Sequence, residues 1–174
     1  MSEIKPWLRS GDYIIDIGCG TGTLTELLLR QGFKVLPVDV EDLSCVVEVR
    51  PLLASGSHMP FRNQSFDVAL LSDVLHHTPC PRALIGEAAR IAHRVIVHET
   101  VYGTQLQKYL TFAMDRVLSL NFGRHPHTNL PDAGWRALFT TLNLTLVDAQ
   151  YSSFWFFFRT ATYLLITQRC SNVC

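Results

Sequence analysis

The chain has 174 residues, 48% of them hydrophobic, and its 15 basic side chains balance 15 acidic ones. That length suits one compact domain with a real core and excludes two full ones. The sequence holds no basic stripe of the kind that neutralises phosphates, so nucleic acid is not an expected partner, and zero formal charge removes one guard against self-association.

The first seven residues hold no apolar signal core and no small-residue cleavage site. Residues 13–17 read as a first strand. A glycine-rich turn follows, then an amphipathic helix over 23–30 that Gly32 is placed to end. Residues 34–38 read as a second strand, although Pro37 lacks a ladder donor and favours an edge. Residues 40–50 predict a poor helix or an irregular connection, and 51–54 a short third strand. Residues 65–71 are a fourth strand, set off by the turn-prone 62–64. A helix over 81–92 begins on Pro81, and 94–98 is a fifth strand. This alternation argues for an α/β protein built of βαβ units around a parallel sheet.

The pattern then changes. Residues 104–120 predict a helix with Leu106, Leu110, Met114 and Val117 on one face. A His-, Pro- and Asn-rich loop over 121–131 follows, then a helix over 132–142 with Asp132 as N-cap. Residues 104–142 are thus expected to form a lid on a single domain spanning 1–174. Residues 144–149 and 160–167 read as closing strands, and 150–159 could extend either. Arg159 interrupts the most apolar stretch, which is too short on either side to span a membrane. The five cysteines, at positions 19, 45, 80, 170 and 174, are odd in number and form no CxxC pair. They predict reduced thiols in a cytoplasmic protein, with neither a disulfide framework nor a metal site.

The segment Asp16-Ile-Gly-Cys-Gly-Thr-Gly22 joins a strand to a helix. Glycines let the backbone turn sharply beside a ligand, and the helix start offers unpaired N–H groups to an anion. The nicotinamide fingerprint GxGxxG would need a glycine at position 23, where this chain has Thr23; the spacing here is GxGxG. Asp39 ends the second strand, where a carboxylate can accept hydrogen bonds from both hydroxyls of a ribose. Together these residues suit an adenosine-containing ligand.

Residues 13–22 resemble the first motif of class I S-adenosylmethionine-dependent methyltransferases. Residues 59–77, Met-Pro-Phe-Arg-Asn-Gln-Ser-Phe-Asp-Val-Ala-Leu-Leu-Ser-Asp-Val-Leu-His-His, resemble the fourth-strand region of the small-molecule branch of that family. The resemblance runs from the first strand through the fifth. It implies a Rossmann-like doubly wound, mostly parallel seven-stranded sheet with an antiparallel last strand, and S-adenosylmethionine as cofactor. It further implies that Asp16 and the turn Gly18, Cys19, Gly20 and Gly22 hold the methionine end. Asp39 would bind the ribose, Met59 would pack on the adenine, and Ser72 and Asp73 would receive the amino group. Val40 and His58 complete the implied cofactor set. One departure stands out: the acidic residue that usually follows the third strand and binds the adenine amino group is missing from residues 54–58, where only Ser55 and Ser57 could substitute.

Ligands of open α/β sheets sit at the carboxyl ends of the strands. That places His76, His77, His98, Glu99, Tyr102 and the loop around His125 and His127 near the chemistry, with His98 and Glu99 expected to face one cleft. His77 and Glu99 are the expected catalytic groups; His76, Tyr102, His125 and Trp135 are the expected substrate contacts. Adjacent histidines are expected to diverge, which argues against a metal. The expected reaction moves a methyl group to an O or N atom of a small apolar or aromatic molecule. The short stretch before the first strand leaves an open side that a homodimer or partner protein could cover. A nicotinamide-dependent oxidoreductase and a non-catalytic partner subunit of the same fold are the alternatives.

Overall fold

The computed structural model describes residues 2–102, 129–154 and 158–167. Predictions that fall on residues 103–128, including the helix over 104–120 and the substrate contact His125, lie outside the described residues.

Strand β1 (Tyr13–Ile17) is buried at all but its first residue, as a strand covered on both faces must be. Helix α1 (Thr23–Arg30) follows the glycine turn. Strand β2 (Lys34–Asp39) pairs in parallel with β1, and the two-residue β3 (Leu52–Leu53) pairs with β2. Residues 40–50 connect β2 and β3 without a helix. Strand β4 (Phe66–Ser72) lies on the other side of β1, and after a 3₁₀ turn (Leu75–His77) helix α2 (Pro81–Ile91) leads into β5 (Ala92–Val101). Helix α3 (Asp132–Thr141) precedes β6 (Leu144–Phe154) and β7 (Phe158–Thr167). The sheet has seven strands in the order β3-β2-β1-β4-β5-β7-β6. Strand β7 runs antiparallel to both its neighbours and so is the one reversed strand.

Two apolar layers sandwich the sheet. On one face Ile15, Ile17, Val38, Leu71, Val95 and Val97 pack under α2 and α3, with Trp135, Phe139 and Leu144. On the other Ile14, Val68, Leu70, Ile96 and Leu164 pack beneath Leu28 of α1 and Ile4. The N-terminal residues thus lie over this second face. Arg94 anchors them by donating to the Trp7 carbonyl and to Asp12, both at 2.6 Å, and Trp7 Nε1 donates to Asp148.

Three details differ from the sequence-based expectation. Pro131, in an extended conformation, is the N-cap of α3, and Asp132 is its first helical residue. The Asp132 carboxylate accepts hydrogen bonds from Tyr163, Tyr151 and Arg136, which hold it below the usual carboxylate range despite partial burial. Long-range partners have recruited a side chain that local pattern assigns to capping. Strand β5 also continues three residues past His98, to Val101, because Val101 is still paired with Arg159. Residues 150–154 extend β6 and 158–159 extend β7, and the two strands pair out to Phe154 and Phe158.

Candidate active site

The first strand and helix meet in a turn whose glycines Gly18, Gly20 and Gly22 all have positive φ. A Cβ on Gly18 would stand 2.3 Å from Cγ2 of Val74, so the turn packs directly on the segment after β4. A Cβ on Gly20 would meet nothing within 4 Å, so this side of the turn is open. Gly18 and Cys19 donate their amides to the Val38 carbonyl, fixing the turn to the end of β2. The Gly20 amide donates to Oδ2 of Asp39 at 2.8 Å, and Oδ1 of the same carboxylate accepts the Val40 amide at 2.7 Å.

Beneath the turn Asp16 is buried, and the Thr25 hydroxyl donates to its Oδ2 at 2.6 Å. Burial, opposed by that hydrogen bond and reinforced by the charge of Asp39, raises the Asp16 carboxyl to about 6. Burial and the charges of Asp16 and Asp39 push the Cys19 thiol up to about 12, so it stays protonated and unreactive at neutral pH. An acid that waits for a positive charge, an open glycine backbone and an acid at the end of β2 fit an amino acid joined to a nucleoside. Asp16 would face the ammonium group, the turn the carboxylate, and Asp39 the ribose.

On the adenine side Met59 is buried in the core layer and its amide donates to Oε1 of Glu87 at 2.7 Å. Val40 and His58 are exposed. The hydroxyls of Ser55 and Ser57 lie 3.0 Å apart and bond to each other. Asp73 takes a left-handed conformation (φ 50°) at the end of β4, and its amide donates to the His98 carbonyl at 2.8 Å.

Glu99 and His98 do not share a cleft. Side chains alternate along β5, so Glu99 joins Val95, Val97 and Val101 on the α2 face while His98 joins Arg94 and Ile96 on the α1 face. Extending the strand past His98 makes this alternation binding. Glu99 has no exposed surface. Its Oε1 accepts the Leu75 amide and its Oε2 meets Nδ1 of His76, both at 2.7 Å. His76 is buried with it, and the exposed His77 stacks on His76 with ring centroids 4.0 Å apart, so these two rings pack together instead of diverging. Ligating atoms of Asp73, His76 and Glu99 lie within 4.8 Å of one another. Both Glu99 oxygens already hold hydrogen bonds, and that geometry is accounted for by positioning the 3₁₀ turn.

Tyr102 is half-buried and donates its hydroxyl to the Asn129 carbonyl at 3.2 Å. Trp135 is fully buried on α3. Among the described residues its Nε1 and Oδ1 of Asn129 are buried polar atoms with no hydrogen-bond partner. The structure therefore gathers Asp16 and Asp39 around the glycine turn, and His76, His77 and Glu99 in a separate cluster. It leaves Trp135 in the core. Glu3, which no local pattern singles out, reaches His98 at 3.3 Å across 95 residues of chain.

Comparison with known proteins agrees with this geometry. Residues 15–94 match the family model described as a methyltransferase domain. The ubiquinone biosynthesis O-methyltransferase of Hahella chejuensis is 31% identical over 93 residues, which are 47% of this chain and 39% of that protein. The chain spans about two-fifths of the length of the curated relatives it matches. A SAM-dependent methyltransferase of Methanosarcina mazei superposes with a TM-score of 0.68 at 18% identity, covering 94% of this chain and 96% of that one. The magnesium protoporphyrin IX methyltransferase of Synechocystis PCC 6803, solved with bound SAH, superposes with a TM-score of 0.64 at 20% identity, covering 91% and 74%. With the glycine turn, its partner acid and the sheet order all in agreement, residues 15–94 are similar to the methyltransferase domain family, and the chain has the fold of the S-adenosylmethionine-dependent methyltransferases on which it superposes.

Proposed function

We propose that this protein transfers a methyl group from S-adenosylmethionine to an oxygen of a small molecule. The observation that carries the reading is the crevice in which the Gly20 amide and the Asp39 carboxylate meet at 2.8 Å above the buried Asp16. The choice of oxygen is supported by the similarity to O-methyltransferases of ubiquinone biosynthesis. When bound, the cofactor supplies an activated methyl group, so the protein's task is alignment and proton removal.

Asp16 offsets the cofactor's ammonium charge. The open side of the Gly20 turn admits its carboxylate close to the backbone at the start of α1. Asp39 turns from the Gly20 amide to the ribose hydroxyls, and Ser72 and Asp73 border the methionine end. Glu99 acts through His76: a buried carboxylate fixes the imidazole and the turn beneath His77, which faces outward.

The test is a thermal-shift and calorimetric comparison of two ligands. S-adenosylhomocysteine should stabilise the protein and bind in the micromolar range. Stabilisation by NAD in its place would overturn the reading in favour of an oxidoreductase, and no binding of either at millimolar concentration would favour a non-catalytic partner subunit.

A further inference from the structure

A cavity of about 290 Å³ opens on the α1 face of the sheet, on the opposite side from Glu99 and His76. Its apolar wall is Ile4, Leu24 and Leu27, and its polar end is Glu3, Ser72 and His98. The size is at the lower end for ligand sites and suits a ring-sized molecule. Ser72 closes β4 next to the residues read above as the methionine end, so the cavity abuts the place where a methyl group would be presented.

The hydrogen bonds around His98 assign its tautomer. The Thr162 hydroxyl lies 2.7 Å from Nδ1 of His98 and donates to Oε2 of Glu3 at 3.3 Å. A hydroxyl has one proton. With that proton directed at Glu3, the Thr162 oxygen can only accept from Nδ1. A ring hydrogen on Nδ1 satisfies Thr162 and Glu3 together and leaves Nε2 as the acceptor. Oε2 of Glu3 is also 3.3 Å from Nδ1, within reach of the same ring hydrogen. Nε2 lies 4.0 Å from Oδ2 of Asp73, at the cofactor side of the cavity.

We propose that this cavity is the acceptor pocket, that His98 is the base, and that the acceptor is a compact uncharged phenol; the proposal rests on the methyl-transfer reading above. Glu3 and Asp73 repel an anion, and the Ile4–Leu24–Leu27 wall favours an apolar ring. A phenol, with an ordinary pKa of about 10, yields its proton to imidazole far more readily than an aliphatic alcohol does. In the step, the phenol O–H proton passes to Nε2 while the oxygen's electron pair forms the bond to the methyl carbon. The carbon–sulfur bond breaks, its pair stays on sulfur, and the sulfonium becomes a neutral thioether. The products are an aryl methyl ether and protonated His98, which returns its proton to water. Thr162 and Glu3 are positioning residues that hold Nδ1 and steady the charged ring.

The test uses the whole chain and catechol as probe. Three measurements apply: ¹⁵N–¹H spectra of the histidine side chains without ligand, catechol titration with S-adenosylhomocysteine present, and transfer to catechol. The expected results are an Nδ1–H tautomer at His98 and saturable catechol binding. Leu27→Trp, at a position 40% exposed where an indole reaches the cavity without entering the core, should weaken catechol at least tenfold. That variant should hold S-adenosylhomocysteine within threefold. His98→Gln keeps a donor for Thr162; it should bind both ligands within a few-fold and transfer 10²- to 10⁴-fold more slowly. An Nε2–H tautomer, no catechol binding by the unaltered protein, undiminished binding in Leu27→Trp, or undiminished transfer in His98→Gln would overturn the proposal while leaving the cofactor reading intact. Failure of the unaltered protein to bind S-adenosylhomocysteine is the distinct result that removes both.

Discussion

Nδ1 of His76 lies 2.7 Å from Oε2 of Glu99, and the other oxygen of that carboxylate takes the Leu75 amide. A buried acid thus ties the end of β5 to the turn after β4. Glu99→Ala should destabilise the fold by roughly 3–5 kcal/mol, because it removes the acceptor from two buried donors at once. Glu99→Gln, which keeps one acceptor but sets an amide N–H against His76, should cost about 1–3 kcal/mol. Urea unfolding of both variants checks this; a Glu99→Ala protein as stable as the parent would remove the structural role.

Asp16 makes the protein sensitive to pH in two opposite ways. Its folded carboxyl titrates near 6, above the unfolded value of 3.8, so the folded state keeps a proton that the unfolded state has lost. Its contribution to stability is therefore fully present below about pH 4 and is lost as pH rises through about 6, a change of up to ~3 kcal/mol. Asp16→Asn should abolish that loss and unfold at higher urea than the parent at pH 8. Cofactor binding has the opposite slope. A cationic ammonium needs the ionised acid, so S-adenosylhomocysteine affinity should fall below pH 6 and binding at pH 6 should release protons. Calorimetry in buffers of different ionisation enthalpy reads that release directly.

Asp39→Ala should lower S-adenosylhomocysteine affinity at least a hundredfold without unfolding the domain, since the side chain is at the rim and its partners Gly20 and Val40 are backbone amides of surface turns. Equilibrium dialysis suffices. Unchanged affinity would refute the ribose assignment.

The glycines of one turn should separate stability from binding. At Gly18 a methyl group would collide with Val74 and the φ of 75° disfavours any side chain, so Gly18→Ala should cost roughly 2 kcal/mol or more. Shortening the obstacle with Val74→Ala should recover part of it. At Gly20 the space is open, so Gly20→Val should lose only the ~1 kcal/mol of backbone strain yet exclude the cofactor. Paired melting and binding curves for the two variants test the contrast.

The strand, glycine turn and helix that open the sheet were largely legible from sequence because their signals are local. The GxGxG turn, the strand before it and the helix after it have periodicities that no distant contact overrides, and β1 and α1 fall on residues 13–17 and 23–30 as read. Pro37, awkward in a strand by local rules, is tolerated for a reason visible only in the sheet. The Val38 carbonyl faces β1, so Pro37 turns its nitrogen to the other side, where β3 begins only opposite Val38. The surroundings of His98 and Glu99 were less legible because their signals are long-range. Whether His98 and Glu99 share a face depends on how far β5 extends, and that is set by pairing with β7 some sixty residues later. Asp132 looked like a cap for the same reason: Tyr151 and Tyr163 are distant in sequence.

Strand β7 enters the sheet between β5 and β6, and this has an order of assembly written into it. A nascent chain that has emerged only through residue 101 holds every strand of the nucleoside crevice, from β3 to β5. The outer edge of β5 is still bare at that stage, and β6 has nothing to join until β7 arrives. Thr162, whose hydroxyl lies 2.7 Å from Nδ1 of His98, comes with that last strand. The strands that frame the glycine turn can therefore pair before the strand that completes the surroundings of His98 arrives.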